Sequence, residues 1–159
     1  MTQSKRIDPL LKRAQEHEDA VARDLAERQR VLDTHLSRLD ELRRYAEEYA
    51  NAQMAATSPA QLLNRRAFLD RLDSAVEQQQ ATVQGNRDKV EAERARLILA
   101  SRDKAVLEQL AASYRAQEKV VTDRRDQREM DDIGARRARL AQAGVQAGEQ
   151  DGGEPGGRT

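Results

Sequence analysis

The tightest constraint on this chain is one break, Thr57-Ser58-Pro59, set between two runs of a seven-residue apolar repeat. Ser58 suits a helix N-cap, because its hydroxyl can accept the unbonded N–H groups of the following turn. Pro59 suits the first helical position, where a missing N–H costs nothing. Gln61 stands three residues after Ser58 and completes an S-x-x-Q capping box. A residue before proline disfavours the α conformation, so a helix arriving from the N-terminal side cannot run through Ser58. A stop followed at once by a capped restart implies reversal. The expected fold is all-α, an antiparallel two-helix coiled-coil hairpin.

The repeat itself is written from Leu11. Its a positions are Leu11, Glu18, Leu25, Leu32, Leu39, Ala46 and Gln53; its d positions are Ala14, Val21, Arg28, His35, Leu42, Tyr49 and Ala56. Glu18, Arg28 and His35 interrupt the seam, a device that can fix register at some cost in stability. His35 is expected opposite Gln80. After the break the a positions are Leu62, Leu69, Val76, Val83, Val90, Leu97, Lys104 and Ala111. The d positions, from Arg65 and Leu72 to Tyr114 and Val121, are more polar. With 35% charged residues, 3% aromatics and no Trp, the chain suits long helices with a narrow seam better than a compact core.

The expected organisation is a helix over 9–56, opened by Asp8-Pro9, a turn at 57–58 and a helix over 59–143. Residues 1–7 read as a mobile basic lead, and the Gly-rich 144–159 as a disordered tail. Gly85 and Gly134 mark soft points in the second helix. The arms are unequal, roughly 70 Å and 125 Å at 1.5 Å per residue. Reversal at 57–58 sets Leu11 against Lys104, Leu39 against Val76 and Ala46 against Leu69. It leaves about 108–143 uncovered, with Leu107, Leu110, Tyr114, Val120 and Val121 on it.

Charge and motif exclude several functions. The 28 basic and 28 acidic residues cancel, so no global field steers the chain to nucleic acid or anionic lipid. The doublets Arg43-Arg44, Arg65-Arg66, Arg124-Arg125 and Arg136-Arg137 each have acids nearby and no interleaved aromatics for base stacking. They read as a solvated, ion-paired face. No Cys is present. Met1 to Leu11 holds no signal-like apolar run, and Leu97-Ile98-Leu99-Ala100 is far too short to span a bilayer. A soluble cytoplasmic protein without direct membrane insertion is expected. Glu16-His17-Glu18 is no metal site, since adjacent residues leave a helix in different directions. A two-helix rod offers no water-excluded cleft for tuned carboxylates. Neither enzyme activity nor a cofactor is expected.

The informative residues flank the bend. Leu42, Tyr45 and Tyr49 are spaced i, i+3, i+7; Phe68, Leu72, Ala75 and Gln79 are spaced i, i+4, i+7, i+11. Each set is one stripe of a helix. Leu42, Tyr49 and Leu72 belong to the seam, while Tyr45, Phe68 and Ala75 stand beside it. Antiparallel pairing sets Phe68 opposite Glu47 and Tyr45 opposite Asp70. Either the aromatics stiffen the bend, or they form a patch astride both helices that docks a partner.

These residues resemble the FliJ family of flagellar type III export proteins. The resemblance rests on L-x-x-Y-A-E-E-Y at Leu42 to Tyr49 and F-L-x-R-L-D-x-A-V-x-x-Q at Phe68 to Gln79. R-D-K-A-V-L-E-Q-L at Arg102 to Leu110 and R-E-M-D-D-I at Arg128 to Ile133 extend it, so that it covers about 9–140. It implies a non-enzymatic stalk similar to the central stalk of rotary ATP synthases. The implied partners are the hexameric export ATPase, the cytoplasmic domain of the large export-gate membrane subunit, and small export chaperones. The implied place is the cytoplasmic face of the inner membrane at the flagellar base. The implied gate-binding stripe is Leu42, Tyr45, Tyr49, Phe68, Leu72 and Ala75, with Arg38 and Gln79 at positions where the family pattern has Gln and His. Chaperone handling is implied for the second helix, within 72–127. The alternatives are an injectisome stalk, and a homodimeric coiled-coil scaffold; the stalk is expected to be a monomer.

Overall fold

The computed structural model describes residues 2–52 and 58–150. They form α1, Gln3–Asn51, and α2, Pro59–Gln150, with no strand among the described residues. The fold is the all-α helical hairpin that the repeat implies. The chain divides into two compact units, Asp8–Glu108, and Met1–Ile7 with Gln109–Thr159.

In the unit Asp8–Glu108 the seam is made by the repeat. Val21, Leu39, Leu72, Val83, Val90 and Ala100 are buried. Leu25, Leu32, Leu42, Ala46, Leu69, Val76 and Leu97 are half-buried. All stand at a or d. Two expected seam residues are exposed: Arg28, beside which Gln29 turns inward, and Leu62 in the first turn of α2. A guanidinium keeps its hydration by leaving the seam, so the neighbouring amide fills the gap. α2 passes through Gly85 without interruption, so no break forms at that expected soft point.

The break is capped as the sequence implies. The N–H of Gln61 donates to Ser58 Oγ at 3.3 Å, and the N–H of Leu62 donates to the Ser58 carbonyl at 3.3 Å. Pro59 is the first residue of α2. Residues 53–57, including the end of the expected first helix and Thr57 of the turn, lie outside the described residues.

Pairing is antiparallel: Tyr49 meets Phe68, His35 meets Gln79, and Glu18 meets Lys104. Near the bend the register is within one residue of the expected one, with Gln79 at His35. Farther along, Lys104 Nζ lies 3.5 Å from Glu18 Oε1, one heptad from the expected Leu11. Part of that displacement is side-chain reach, since both side chains lean toward their own N-termini. At the bend α1 ends at Asn51, and Arg65, about two turns into α2, reaches its last carbonyls. The Glu18–Lys104 pair is half-buried, and its complementary charges favour this register over neighbouring ones.

In the other unit, α1 starts earlier than expected. Gln3 to Ile7 are helical rather than a mobile lead, and Pro9 lies inside the helix. Carrying the heptad back from Leu11 makes Ser4 an a and Ile7 a d position, and both are buried. On α2 the seam continues through buried Ala111 and half-buried Tyr114 to Glu118. Glu118 caps the start of α1 from across the hairpin. Its Oε1 accepts the Ser4 N–H at 2.9 Å, and its Oε2 accepts the Ser4 hydroxyl at 2.6 Å. A carboxylate at a helix N-terminus satisfies unbonded N–H groups and complements the helix dipole. This cap and the burial of Ile7 offset the backbone bond that Pro9 cannot make.

Leu107 and Tyr114, expected to be uncovered, are therefore half-buried. Beyond Glu118 every residue to Gly148 is exposed. α2 runs on to Gln150, past the expected end at 143, and takes in Gly134, Gly144 and Gly148. The last part of the expected tail, 151–159, lies outside the described residues.

Candidate docking site at the bend

Tyr45 and Tyr49 occupy successive turns near the end of α1, and Phe68 stands early in α2. The Phe68 ring lies 4.5 Å from Tyr49 at an interplanar angle of 60°, and 6.4 Å from Tyr45 at 83°. Edge-to-face pairs of this kind contribute about 0.5–1.5 kcal/mol each beyond their buried area. Phe68 thus contacts both tyrosines instead of standing free beside Glu47. Tyr49 and Phe68 are half-buried, while Tyr45 keeps 52% of its surface exposed.

The other stripe residues divide by burial. Leu72 is buried in the seam; Leu42 and Ala75 are half-buried. Arg38 is exposed and makes no ion pair among the described residues. Arg38, Glu41, Leu42, Tyr45 and Gln79 line an open depression of about 380 Å³. The presented surface is thus Tyr45, Leu42 and the Arg38/Glu41 rim.

Gln79, rather than the expected Gln80, meets His35. Gln79 is the d residue, and Gln80 is exposed. The Gln79 amide nitrogen donates to the His35 carbonyl at 2.9 Å and lies 3.2 Å from His35 Nδ1. A carbonyl only accepts, so the atom facing it is the NH2 group. Gln79 is therefore a fixed wall of the depression.

Arg65 completes the site's frame, although as half of the Arg65-Arg66 doublet it was expected on a solvated, ion-paired face. Its Nη2 donates to the carbonyls of Ala50 at 3.1 Å and Ala52 at 2.9 Å, and sits 3.5 Å from that of Tyr49. A cation on the last carbonyls of a helix is favoured by the dipole. Arg65 thereby fixes the α1 segment that carries Tyr45 and Tyr49. The sequence signal was an Arg at a d position. Glu41 was missed for the opposite reason, as one surface acid among many.

Among the described residues no group of three His, Cys, Asp or Glu is placed to hold a metal ion. In Glu16-His17-Glu18, Glu18 turns into the seam while Glu16 and His17 are exposed. Of the basic doublets, Arg125 pairs with Glu129 at 3.0 Å and Arg65 is the helix cap. Arg43, Arg44, Arg66, Arg124, Arg136 and Arg137 make no ion pair among the described residues, so the expected ion-paired face is sparser than sequence proximity suggested. No helix among the described residues is long and apolar enough to cross a membrane.

A charge-coated antiparallel hairpin with an aromatic patch beside its bend defines a class, the two-helix coiled-coil hairpins. The family model for the flagellar FliJ protein matches residues 3–143. The chain belongs to the FliJ family and is a component of the flagellar export apparatus. No curated protein matches the chain, and no solved structure does.

Proposed function

We propose that this chain is the coiled-coil stalk linking the export ATPase ring to the membrane export gate, and that it hands over small export chaperones along α2. On this reading it works on the cytoplasmic face of the inner membrane, held there by partners. The docking site for the cytoplasmic domain of the gate subunit is the bend patch of Leu42, Tyr45, Tyr49, Phe68, Leu72 and Ala75, with Arg38 and Gln79 at its rim. The observation that carries this is Tyr45: a tyrosine held edge-on by Phe68 yet half in solvent, beside an apolar depression. Rigid, partly exposed aromatics in well-packed surroundings are the usual anchors of protein interfaces. The family match supports the reading by placing the chain in the export machinery.

The test is binding of the full chain to the purified cytoplasmic domain of the export-gate subunit. Tyr45→Ala is the informative variant, because Leu72 is seam core and its truncation would also loosen the hairpin. Loss of about tenfold or more in affinity, with unchanged helicity, is the expected result. Equal binding by Tyr45→Ala removes the patch as the docking site. A chain that binds neither the gate domain nor the ATPase, and scatters light as a stable dimer, is instead the homodimeric scaffold.

A further inference from the structure

The opening of α1, residues 3–7, is held on one side by its own helix and on the other by α2. The helical bonds that join it to the rest of α1 run from the carbonyls of 4–7 to the N–H groups of 8–11. Pro9 has no N–H to give the Lys5 carbonyl, and its ring crowds that carbonyl. The boundary between the two compact units falls beside it, between Ile7 and Asp8. Residues 3–7 therefore group with Gln109–Thr159 rather than with the helix that they begin. A backbone defect and a packing boundary coincide.

What holds this segment down is small. Ser4 closes on Glu118 with both of its hydrogen-bonding protons, N–H to Oε1 at 2.9 Å and hydroxyl to Oε2 at 2.6 Å. The shorter distance is that of a hydroxyl on an ionised carboxylate. With Ser4 against Glu118, the antiparallel register sets Ile7 beside Tyr114, three residues on along α1 and four back along α2. Ser4 and Ile7 are buried, whereas Gln3, Lys5 and Arg6 are exposed. The segment thus rests on one aliphatic side chain and one carboxylate. The Asp8–Glu108 unit is closed along its length by buried Val21, Leu39, Val83 and Val90 among others.

We infer that residues 3–7 are a strap, hinged at Pro9 and latched by Ser4 on Glu118, which opens while the Asp8–Glu108 unit stays folded and uncovers Tyr114 and Glu118 on α2. Proteins open in local units whose free energies lie well below that of global unfolding, and a segment with few buried apolar contacts is such a unit. The strap gives the unpaired part of α2 two lengths. Closed, that part begins after Glu118, where every residue to Gly148 is exposed. Open, it begins before Tyr114, about 10 Å earlier along the helix. Tyr114, Glu118 and Val121 then form one uncovered line of d, a and d positions, of which only Val121 is exposed while the strap is shut.

The chain has no cysteine, so a single introduced thiol reports opening without background. The experiment measures the labelling rate of Ile7→Cys and Val21→Cys in the full chain with a thiol reagent, over a series of urea concentrations below the unfolding transition. Both positions are buried d residues of α1, and circular dichroism checks that each variant stays helical. Ile7→Cys is expected to label about 100-fold faster than Val21→Cys, yet much more slowly than a free peptide thiol. Its rate should change little with urea, because opening the strap exposes little surface, while that of Val21→Cys climbs steeply. Adding Glu118→Ala should speed labelling of Ile7→Cys about tenfold. Amide exchange in the unsubstituted chain, with the Ile7 N–H less protected than that of Val21, checks that the cysteine has not created the opening. Equal rates and equal urea dependence for the two thiols overturn the strap, since the segment then opens only with the whole hairpin. Labelling of Ile7→Cys at the free-thiol rate overturns it too, since nothing is then latched. Labelling unmoved by Glu118→Ala overturns the latch.

Discussion

Arg65 and Glu118 do the same job at opposite ends of α1, and each does it from α2. Arg65 closes the C-terminal carbonyls. Arg65→Ala is expected to cost about 1–3 kcal/mol in urea unfolding, the range for hydrogen bonds to a charged group, with Arg65→Lys recovering part of it. The Glu118 carboxyl is held below its ordinary value of 4.5, first by the Ser4 hydroxyl, then by the Ser4 N–H, with the Gln3 N–H and Arg115 adding to it. A depressed carboxyl contributes stability above its ordinary value and loses it as pH falls through the lowered one. The protection factor of the Ser4 amide against hydrogen exchange, relative to the intrinsic rate at each pH, should therefore be high at pH 7 and fall once the pH drops well below 4.5. In Glu118→Gln it should already be lower at pH 7. Neither cap was legible in the sequence for a physical reason. A trans cap depends on where two helix ends meet, and the heptad does not mark the end of α1. Ser4 became invisible once Pro9 was read as a helix start, although Ser4 and Ile7 keep the repeat.

At the scale of helices, the seam and the outer face of α2 make opposite demands on the same residue type. Leu39 is buried between the helices, while Leu99 faces outward. Leu39→Ala is expected to cost about 2–5 kcal/mol in thermal or urea unfolding, and Leu99→Ala to change stability by no more than about 0.5 kcal/mol. Gly85 lies within an unbroken helix, and a Cβ there meets nothing within 4 Å. Gly85→Ala should therefore raise stability by about 1 kcal/mol, seen as a higher melting temperature. The repeat made most of the seam legible, down to Val83, Val90 and Ala100, because antiparallel helices can bury only one narrow stripe each. It placed His35 within one residue of its partner but missed the Glu18–Lys104 pair, because one heptad of slip keeps every apolar residue in place and polar pairs choose among such settings.

For the whole chain, the proposed stalk should act as a single copy. Light scattering is expected to give the mass of one chain, 17.9 kDa, rather than twice that. The aromatic stripe was legible because Phe68 and the tyrosines are nearly all the aromatics there are. What was not legible was which of them is presented and which is anchored. That division comes from ring packing: Phe68 draws Tyr49 inward and leaves Tyr45 outside. The Gln79–His35 contact carries this further, into spectroscopy. The chain has two histidines, one exposed at His17 and one held by Gln79 beside the proposed docking patch. Their ring C–H protons form a matched reference and probe on one molecule. A partner that pries at the bend is expected to move the His35 resonances and leave those of His17 still, without a label added to the chain.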